Sequence, residues 1–121
     1  MNLTKEDLQL LENSVPGDAA IYRLKDGRVE TLYVSPNLPA LNGMTMQEYL
    51  AKSARDALDI VFPPDRPALC QALHDAIEKH APLDHYFRVF HKIHGIDWAH
   101  IKARICGEIN SCPVVLAIYV N

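Results

Sequence analysis

The sequence predicts an α+β fold, in which a five-stranded antiparallel sheet carries helices on one face and an N-terminal helix caps it. Two β-rich segments are joined by Asp26-Gly27, a pair that favours the positive φ angles of a tight hairpin. Near the C-terminus, apolar residues at 99, 101, 103 and 105 alternate with polar or aromatic ones, as in a sheet with two different faces. Residues 36–80 between these parts have helical patterns, and such separation is typical of α+β domains.

Length and composition limit the class of protein. The chain has 121 residues, of which 49% are hydrophobic and 22% charged, and its net charge is −3. This length predicts one domain over residues 1–121, with an N-terminal helix over 1–16 and the core over 19–121. Basic residues are not clustered, which argues against nucleic acid as a partner because phosphate binding needs concentrated positive charge.

Three features predict a cytoplasmic protein without a membrane anchor. The longest apolar run, Val114–Val120, has seven residues, whereas a membrane span needs about twenty. The first residues lack the apolar segment of a signal peptide. The three cysteines are odd in number and have no paired spacing, which favours a reducing compartment over a disulfide framework.

The N-terminal helix is predicted from its capping pattern. Thr4 is placed to accept from the backbone of Asp7, and Asp7 to return the bond as a capping box. The helix ends at Pro16-Gly17. One helix face carries an apolar stripe that must be covered, made of Leu8, Leu11 and Val15.

Strands over 19–25 and 28–34 follow, and short helical pieces lead to residue 60. Thr45 begins one of these pieces, with Glu48 completing a capping box. Asp65 is predicted to be the N-cap of a longer helix that ends near Lys79. Three strands complete the fold, over 83–92, 96–105 and 113–120. The first two are joined by a two-residue loop at His94-Gly95, and the last two by a turn over 107–111.

Four segments in this order resemble a PAS sensor domain of the PAS_3-type subfamily in bacterial signalling proteins. They are the Ser-Pro strand exit at 32–37, the helix start at 41–50, the Phe-Pro-Pro-Asp-Arg sequence at 62–66, and Phe87-Arg88-Val89 with Trp98 ten residues after Arg88. The resemblance covers residues 5–120. Met44 replaces the usual aromatic residue, and Ile93-His94-Gly95 replaces the usual Asp-Gly turn. The chain also lacks the exit motif that joins such domains to an effector, so we expect an excised sensor module, although a free-standing protein stays open.

The resemblance implies a small-molecule pocket between the sheet and its helices, or a role in dimerisation alone. Ala99, Ile101 and Ala103 form the small apolar face that would turn toward the helices. The two-residue loop places Tyr86, Arg88 and Phe90 beside them, whereas a three-residue loop would place Phe87, Val89 and His91 there instead. The family spacing favours the first set. Arg88 would then bind an acidic ligand, or else pair with a carboxylate at the edge of the core.

The opposite face is predicted to be an interface. It would carry Phe87, Val89 and Trp98, and it would bury the stripe of Leu8, Leu11 and Val15. The resemblance implies that this surface and helix mediate a symmetric homodimer. The parent protein would be a sensor histidine kinase, a diguanylate cyclase or a transcription regulator.

Other chemistries have weaker support, and the cofactor stays unknown. The cysteine-containing flavin motif of light sensors is absent. Haem ligation by His74 or His80 has low weight. His91 and His94, with His85 and His100, do not predict a metal site, since His-x-x-His on a strand puts the two rings on opposite faces. A thiol switch between Cys106 and Cys112 needs exposed, acidic thiols.

Two further alternatives concern the class of function. A ligand-free interaction module with a filled core would need no pocket. A small α+β enzyme using His91 or His100 as a base would need a carboxylate partner and a cleft. No catalytic motif occurs in the sequence, so we expect no enzymatic activity from this domain.

Overall fold

The computed structural model describes residues 2–14 and 17–120, which form one antiparallel sheet with helices on both faces. The helices are α1 (Lys5–Ser14), α2 (Met46–Ser53) and α3 (Arg66–Lys79). The strands are β1 (Ala19–Lys25), β2 (Arg28–Val34), β3 (Leu83–His91), β4 (Gly95–Ile109) and β5 (Cys112–Val120), and 3-10 turns span Leu38–Asn42, Ala57–Ile60 and Pro63–Asp65. The strand order is β2-β1-β5-β4-β3, which confirms the predicted fold class.

The inner face of the sheet holds the main hydrophobic core. Ala20 and Tyr22 of β1, Ile101 and Ala103 of β4, and Val115 and Ala117 of β5 face α2, α3 and the 3-10 turns; all six are buried. The strand periodicity of two places the neighbouring residues on the outer face. None of the helices described in residues 2–14 and 17–120 is long and apolar enough to cross a membrane.

Helix α1 covers one end of the outer face. Leu8 and Leu11 pack against a small cluster of Ile21, Val114 and Leu116. Val15, the third residue of the predicted stripe, lies outside the described residues. The predicted burial of this stripe against Phe87, Val89 and Trp98 is wrong. Trp98 lies on the outer face but is 67% exposed, whereas Phe87 and Val89 belong to the inner core.

The β3–β4 hairpin has a three-residue loop, so the predicted two-residue loop is wrong. His91 pairs with Gly95, Lys92 to His94 form the turn, and Phe87 pairs with Ala99. Gly95 has a φ of 81°, a left-handed conformation that closes three-residue hairpin loops and that glycine adopts without strain. This one-residue difference inverts the faces of β3 relative to the predicted set.

The β4–β5 connection is shorter than predicted. Strand β4 continues past an irregularity between Ile105 and Gly107 and ends at Ile109, leaving Asn110 and Ser111 as the turn. Gly107 is required by a close approach, because an added Cβ would lie 2.7 Å from Cγ of Leu3. The β1–β2 turn is confirmed, with φ angles of 52° at Asp26 and 75° at Gly27.

The three predicted helix N-caps are confirmed. Thr4 and Asp7 exchange hydrogen bonds of 2.9 and 3.1 Å, and Thr45 and Glu48 form the same capping box. Asp65 occupies the N-cap position of α3, although its side chain makes no capping hydrogen bond. It accepts hydrogen bonds from Arg88 instead, and a 3-10 turn leads directly into α3.

Candidate functional site

A cavity of about 50 Å³ lies between the inner face of the sheet and α3. Tyr22, Ile101 and Tyr119 form its sheet side, and Leu69 and Leu73 of α3 lie opposite. None of the lining residues in the described part of the chain is charged. A second cavity of about 30 Å³ adjoins it. The two share one wall, made of Ala57, Val61, Phe87 and Tyr119.

The structure brings only half of the predicted ligand-binding residues to these cavities. Ile101 and Ala103 line the first cavity and Ala99 lines the second. The other three, Tyr86, Arg88 and Phe90, have side chains on the outer side of β3. Their predicted inward orientation is wrong because the loop has three residues. In the observed register, which is the alternative considered above, Phe87 lines both cavities and Val89 lines the second.

Arg88 pairs with a carboxylate at the edge of the core, as the alternative interpretation of this residue stated. Its Nε and Nη2 donate to the two carboxylate oxygens of Asp65 at 2.9 and 2.6 Å, and its backbone N–H donates at 2.7 Å. The guanidinium also lies 4.9 Å from the ring of Phe62 and 5.7 Å from that of Trp98. The hydrogen bonds from Arg88 lower the pKa of Asp65 to about 2. Arg88 is therefore engaged at the sheet edge and does not reach the cavity.

A cluster of buried tyrosine hydroxyls, which the sequence analysis did not identify, lies at the cavity wall. The hydroxyls of Tyr22 and Tyr119 are 2.6 Å apart, and Tyr49 is buried in the same core and lines the second cavity with Tyr119. Burial raises the pKa of all three tyrosines, so the hydroxyls stay protonated. The alternation of apolar and polar residues along each strand could have shown that Tyr22 and Tyr119 both point toward the inner face. Their proximity depends on the pairing of β1 with β5, which no local pattern predicts.

The outer face of β3, β4 and β5 exposes aromatic and aliphatic side chains. Trp98 and Tyr86 are 67% and 64% exposed, and Ile118 and Val120 are also exposed. Tyr86 stacks on the ring of His100 at 4.0 Å. Nε2 of His100 lies 2.5 Å from a carboxylate oxygen of Asp84, and this hydrogen bond lowers the pKa of Asp84. This surface lies beside the part that α1 covers.

The histidines at the β3–β4 turn lie together, contrary to prediction. His94 belongs to the turn rather than to a strand, so its ring stacks on that of His91 with centroids 4.0 Å apart and planes 6° from parallel. With Asp97, the pair places three ligand atoms within 4.8 Å of one another. Imidazole lone pairs lie in the ring plane, so two parallel stacked rings do not direct them at one ion. Nδ1 of His91 instead accepts from the backbone N–H groups of Ile93 and His94 at 3.1 and 3.0 Å.

The cavity residues do not fit haem or flavin. His74 and His80 are exposed on α3 and at its end, and neither lines either cavity. A cavity of about 150 Å³ is needed to hold benzene, and both cofactors contain much larger ring systems. None of the three cysteines, which are free thiols, lines the cavities. Burial raises the pKa of Cys106, which does not favour a thiol switch there.

The sheet order, the helices on the inner face and the cavity between them match one family. The family model described as PAS fold matches residues 31–118. This chain belongs to the PAS fold family. It is a sensory domain of that family, and such domains are generally not enzymes.

Solved structures with the same fold are light-oxygen-voltage domains. A domain studied with a flavin analogue is 13% identical, with a TM-score of 0.65, covering 93% of this chain and 82% of that one. The domain of a blue-light-activated histidine kinase from Erythrobacter litoralis is 14% identical, with a TM-score of 0.62, covering 88% and 95%. A Rhodobacter sphaeroides protein of this kind is 9% identical, with a TM-score of 0.75, covering 98% and 68%. At these identities the PAS fold is shared and nothing finer follows. No curated protein matches the sequence significantly.

Proposed function

We propose that this PAS domain senses a small molecule in the inner cavity and transmits the signal as a homodimer through its outer sheet face. The supporting observation is that β4 contributes to both surfaces. Ile101 and Ala103 line the cavity, whereas Trp98 and His100 lie on the opposite side of the same strand. A shift of β4 on ligand binding would therefore change the outer face directly. The receiver is a histidine kinase, a diguanylate cyclase or a transcription regulator in the cytoplasm of a bacterium.

The chemistry of the outer face supports a second copy of the chain as the partner. Trp98, Tyr86, Ile118 and Val120 form an exposed apolar surface on three adjacent strands, and such surfaces mark interaction sites. Charges of both signs flank it, with Asp84 and Lys102 4.0 Å apart. A surface that carries both signs can pair with itself around a two-fold axis, as an isologous dimer requires.

Signal output would be a population shift between two arrangements of the sheet and its neighbours. A ligand shifts this equilibrium only by its difference in affinity for the two arrangements. Helix α1 is a suitable moving part, since it contacts the sheet through few side chains and contributes no buried residue.

A ligand-free interaction module is the second candidate, and the small cavity favours it. About 50 Å³ is room for a few water molecules, since one water needs about 10–15 Å³. In that case the cavity is a packing defect and the outer face alone carries the function.

Native mass spectrometry and light scattering test this proposal. We expect a dimer of the purified chain, with bound small-molecule mass that disappears on denaturation. Trp98→Ala should produce a monomer with an unchanged circular dichroism spectrum. Ile93→Ala is the matched control, because Ile93 is 81% exposed but lies in the hairpin loop beside the sheet. A monomeric wild-type chain, or a Trp98→Ala variant that dimerises normally, would refute the proposed interface.

A further inference from the structure

We propose that the inner cavity takes an uncharged, mainly apolar molecule smaller than benzene that carries a hydrogen-bond acceptor, and that the tyrosine cluster donates to this acceptor. The proposal rests on the sensory function proposed above and specifies the chemical class of its ligand. It depends on three features of the cavity, which are its charge, its size and its unused hydroxyl proton.

The absence of charge in the cavity wall excludes ionised ligands. The lining residues within the described part of the chain are aliphatic and aromatic, and Arg88, the cation predicted to bind an acidic ligand, is instead bound to Asp65 at the sheet edge. An ionised carboxylate or ammonium group moved into such surroundings loses its hydration without gaining a partner, which is strongly unfavourable. The ligand is therefore neutral.

The cavity volumes limit the ligand to a few non-hydrogen atoms. The two cavities measure about 50 and 30 Å³, and both are below the roughly 150 Å³ of a cavity known to bind benzene. Phe87 and Tyr119 stand in the wall between them. A rotamer change of either residue would join the two spaces, so a small branched molecule is the largest that fits without unfolding the core.

Within the tyrosine cluster, the pair of Tyr22 and Tyr119 has one more hydroxyl proton than it uses in the hydrogen bond between its own members. Each hydroxyl carries one proton and accepts through two lone pairs. The contact between Tyr22 and Tyr119 uses one of the two protons that this pair of hydroxyls carries. The other proton remains. Tyr22 and Tyr119 both line the first cavity, so an acceptor atom there would pair with the remaining proton. Leaving a buried donor unpaired is costly, which makes an acceptor on the ligand favourable.

Three probes with the same branched arrangement of five non-hydrogen atoms separate these features. 2-Butanone carries the acceptor, 2-methyl-1-butene replaces the oxygen by a methylene group, and propionate carries a charge. Binding is measured by titration of the isotope-labelled chain, following the amide signals of β4 and β5. We expect 2-butanone to bind at least about fivefold more tightly than the alkene, as one net hydrogen bond provides. Propionate should produce no shifts at these amides.

Amino-acid substitutions test whether the preference for the ketone comes from Tyr22 and Tyr119. The double substitution Tyr22→Phe with Tyr119→Phe should abolish the preference for the ketone while the alkene binds as before. Each single substitution removes one proton together with the internal bond, so it should leave the preference in place. If the double variant does not fold, the comparison of ketone and alkene on the wild-type chain still tests the proposal. Tyr33→Phe, which lies outside both cavities in the cluster that α1 covers, is the control and should leave the preference unchanged. Ala103→Val should fill the cavity and remove binding of both neutral probes.

The outcomes distinguish this proposal from the proposed function. Three results would overturn the ligand class but leave the proposed sensor function intact. They are equal binding of ketone and alkene, a preference for the ketone that survives in the double variant, and binding of propionate at these amides. A wild-type chain that binds no probe would overturn the ligand class and favour the ligand-free module, whose dimer interface is tested separately by Trp98→Ala.

Discussion

At the scale of single residues, Asp65 shows how a distant partner changes the role that a local pattern predicts. Its position before Arg66-Pro67 is typical of a helix N-cap. The carboxylate instead accepts three hydrogen bonds from Arg88, which is 23 positions away. Charge-assisted bidentate bonds are roughly twice as strong as neutral ones. The ion pair therefore holds α3 to the edge strand β3, and the helix begins through a 3-10 turn.

The Asp65–Arg88 pair predicts a specific pH dependence of stability. The pKa of Asp65 is about 2 in the folded protein, below the ordinary value of 3.8. The stabilisation is therefore fully present above pH 4 and is lost as the pH falls through about 2. We expect Asp65→Asn to lower the free energy of unfolding at pH 7 and to have little effect near pH 2. Urea unfolding at a series of pH values measures this.

The control for this experiment is Glu48→Gln. Glu48 also has a pKa of about 2, because of Lys92 and the capping box, so acid titrates both groups in the same range. If the changes in the free energy of unfolding of the two variants add up in the double variant, the contribution of Asp65 is independent of that of Glu48. A constant difference between wild type and Asp65→Asn at all pH values would contradict the ion-pair interpretation.

At the scale of elements, turn length determines which residues meet. The β3–β4 loop differs from the predicted loop by one residue, and this moves Phe87 and Val89 inward and Tyr86 and Arg88 outward. A strand has two sides and a period of two, so any shift of the register by an odd number of residues exchanges its two faces. Gly95, which has a left-handed φ, was the local signal for the longer loop.

The β4–β5 turn predicts a stabilising substitution. Asn110 and Ser111 both have positive φ angles, of 50° and 66°. The second position of such a turn favours glycine, because other residues are strained there. Ser111→Gly should raise the free energy of unfolding by about 0.5–1 kcal/mol. Gly27→Ser, at the equivalent position of the β1–β2 turn, should lower it by a similar amount. A stabilising effect of both changes would be inconsistent with this explanation.

Helix α1 is predicted to open independently of the core. It has no buried residue, and its contact with the sheet includes the 2.8 Å bond from the N–H of Leu3 to the carbonyl of Glu108. Leu8→Ala should speed hydrogen exchange of the α1 amides while the amides of β1 and β5 keep their protection. Exchange mass spectrometry measures both. Uniformly faster exchange would show that α1 is part of the cooperative core.

At the scale of the whole molecule, the sheet separates two chemically different surfaces. Its inner face encloses a neutral cavity with a tyrosine cluster, and its outer face exposes Trp98 and Tyr86. Both depend on β4 and β5, the two strands with the most extensive pairing. This arrangement is the physical basis of the proposed link between ligand binding and assembly.

Assembly through the outer face predicts a concentration-dependent stability. If the chain dimerises through Trp98, the melting temperature should rise with protein concentration, because association stabilises the folded state by mass action. Trp98→Ala should melt at the same temperature at every concentration. Scanning calorimetry over a hundredfold concentration range measures this. An invariant wild-type melting temperature would indicate that the chain does not dimerise on folding.

The sequence determined those features that depend on neighbouring residues. The Asp26-Gly27 turn, the capping boxes at Thr4 and Thr45, and the order of strands and helices follow from short-range backbone preferences. The PAS resemblance was also available, because it depends on motifs in order along the chain. Ile101 and Ala103 were identified as cavity residues because alternation marks one face of a single strand.

The tertiary structure alone decided which faces, charges and hydroxyls meet. The inward position of Phe87, the pairing of Asp65 with Arg88 and the contact of Tyr22 with Tyr119 all join elements that lie far apart in sequence. The strand register and the order β2-β1-β5-β4-β3 set these contacts. Such contacts depend on the free energy of the whole packed core rather than on any local preference, and the chemistry of the cavity follows from them.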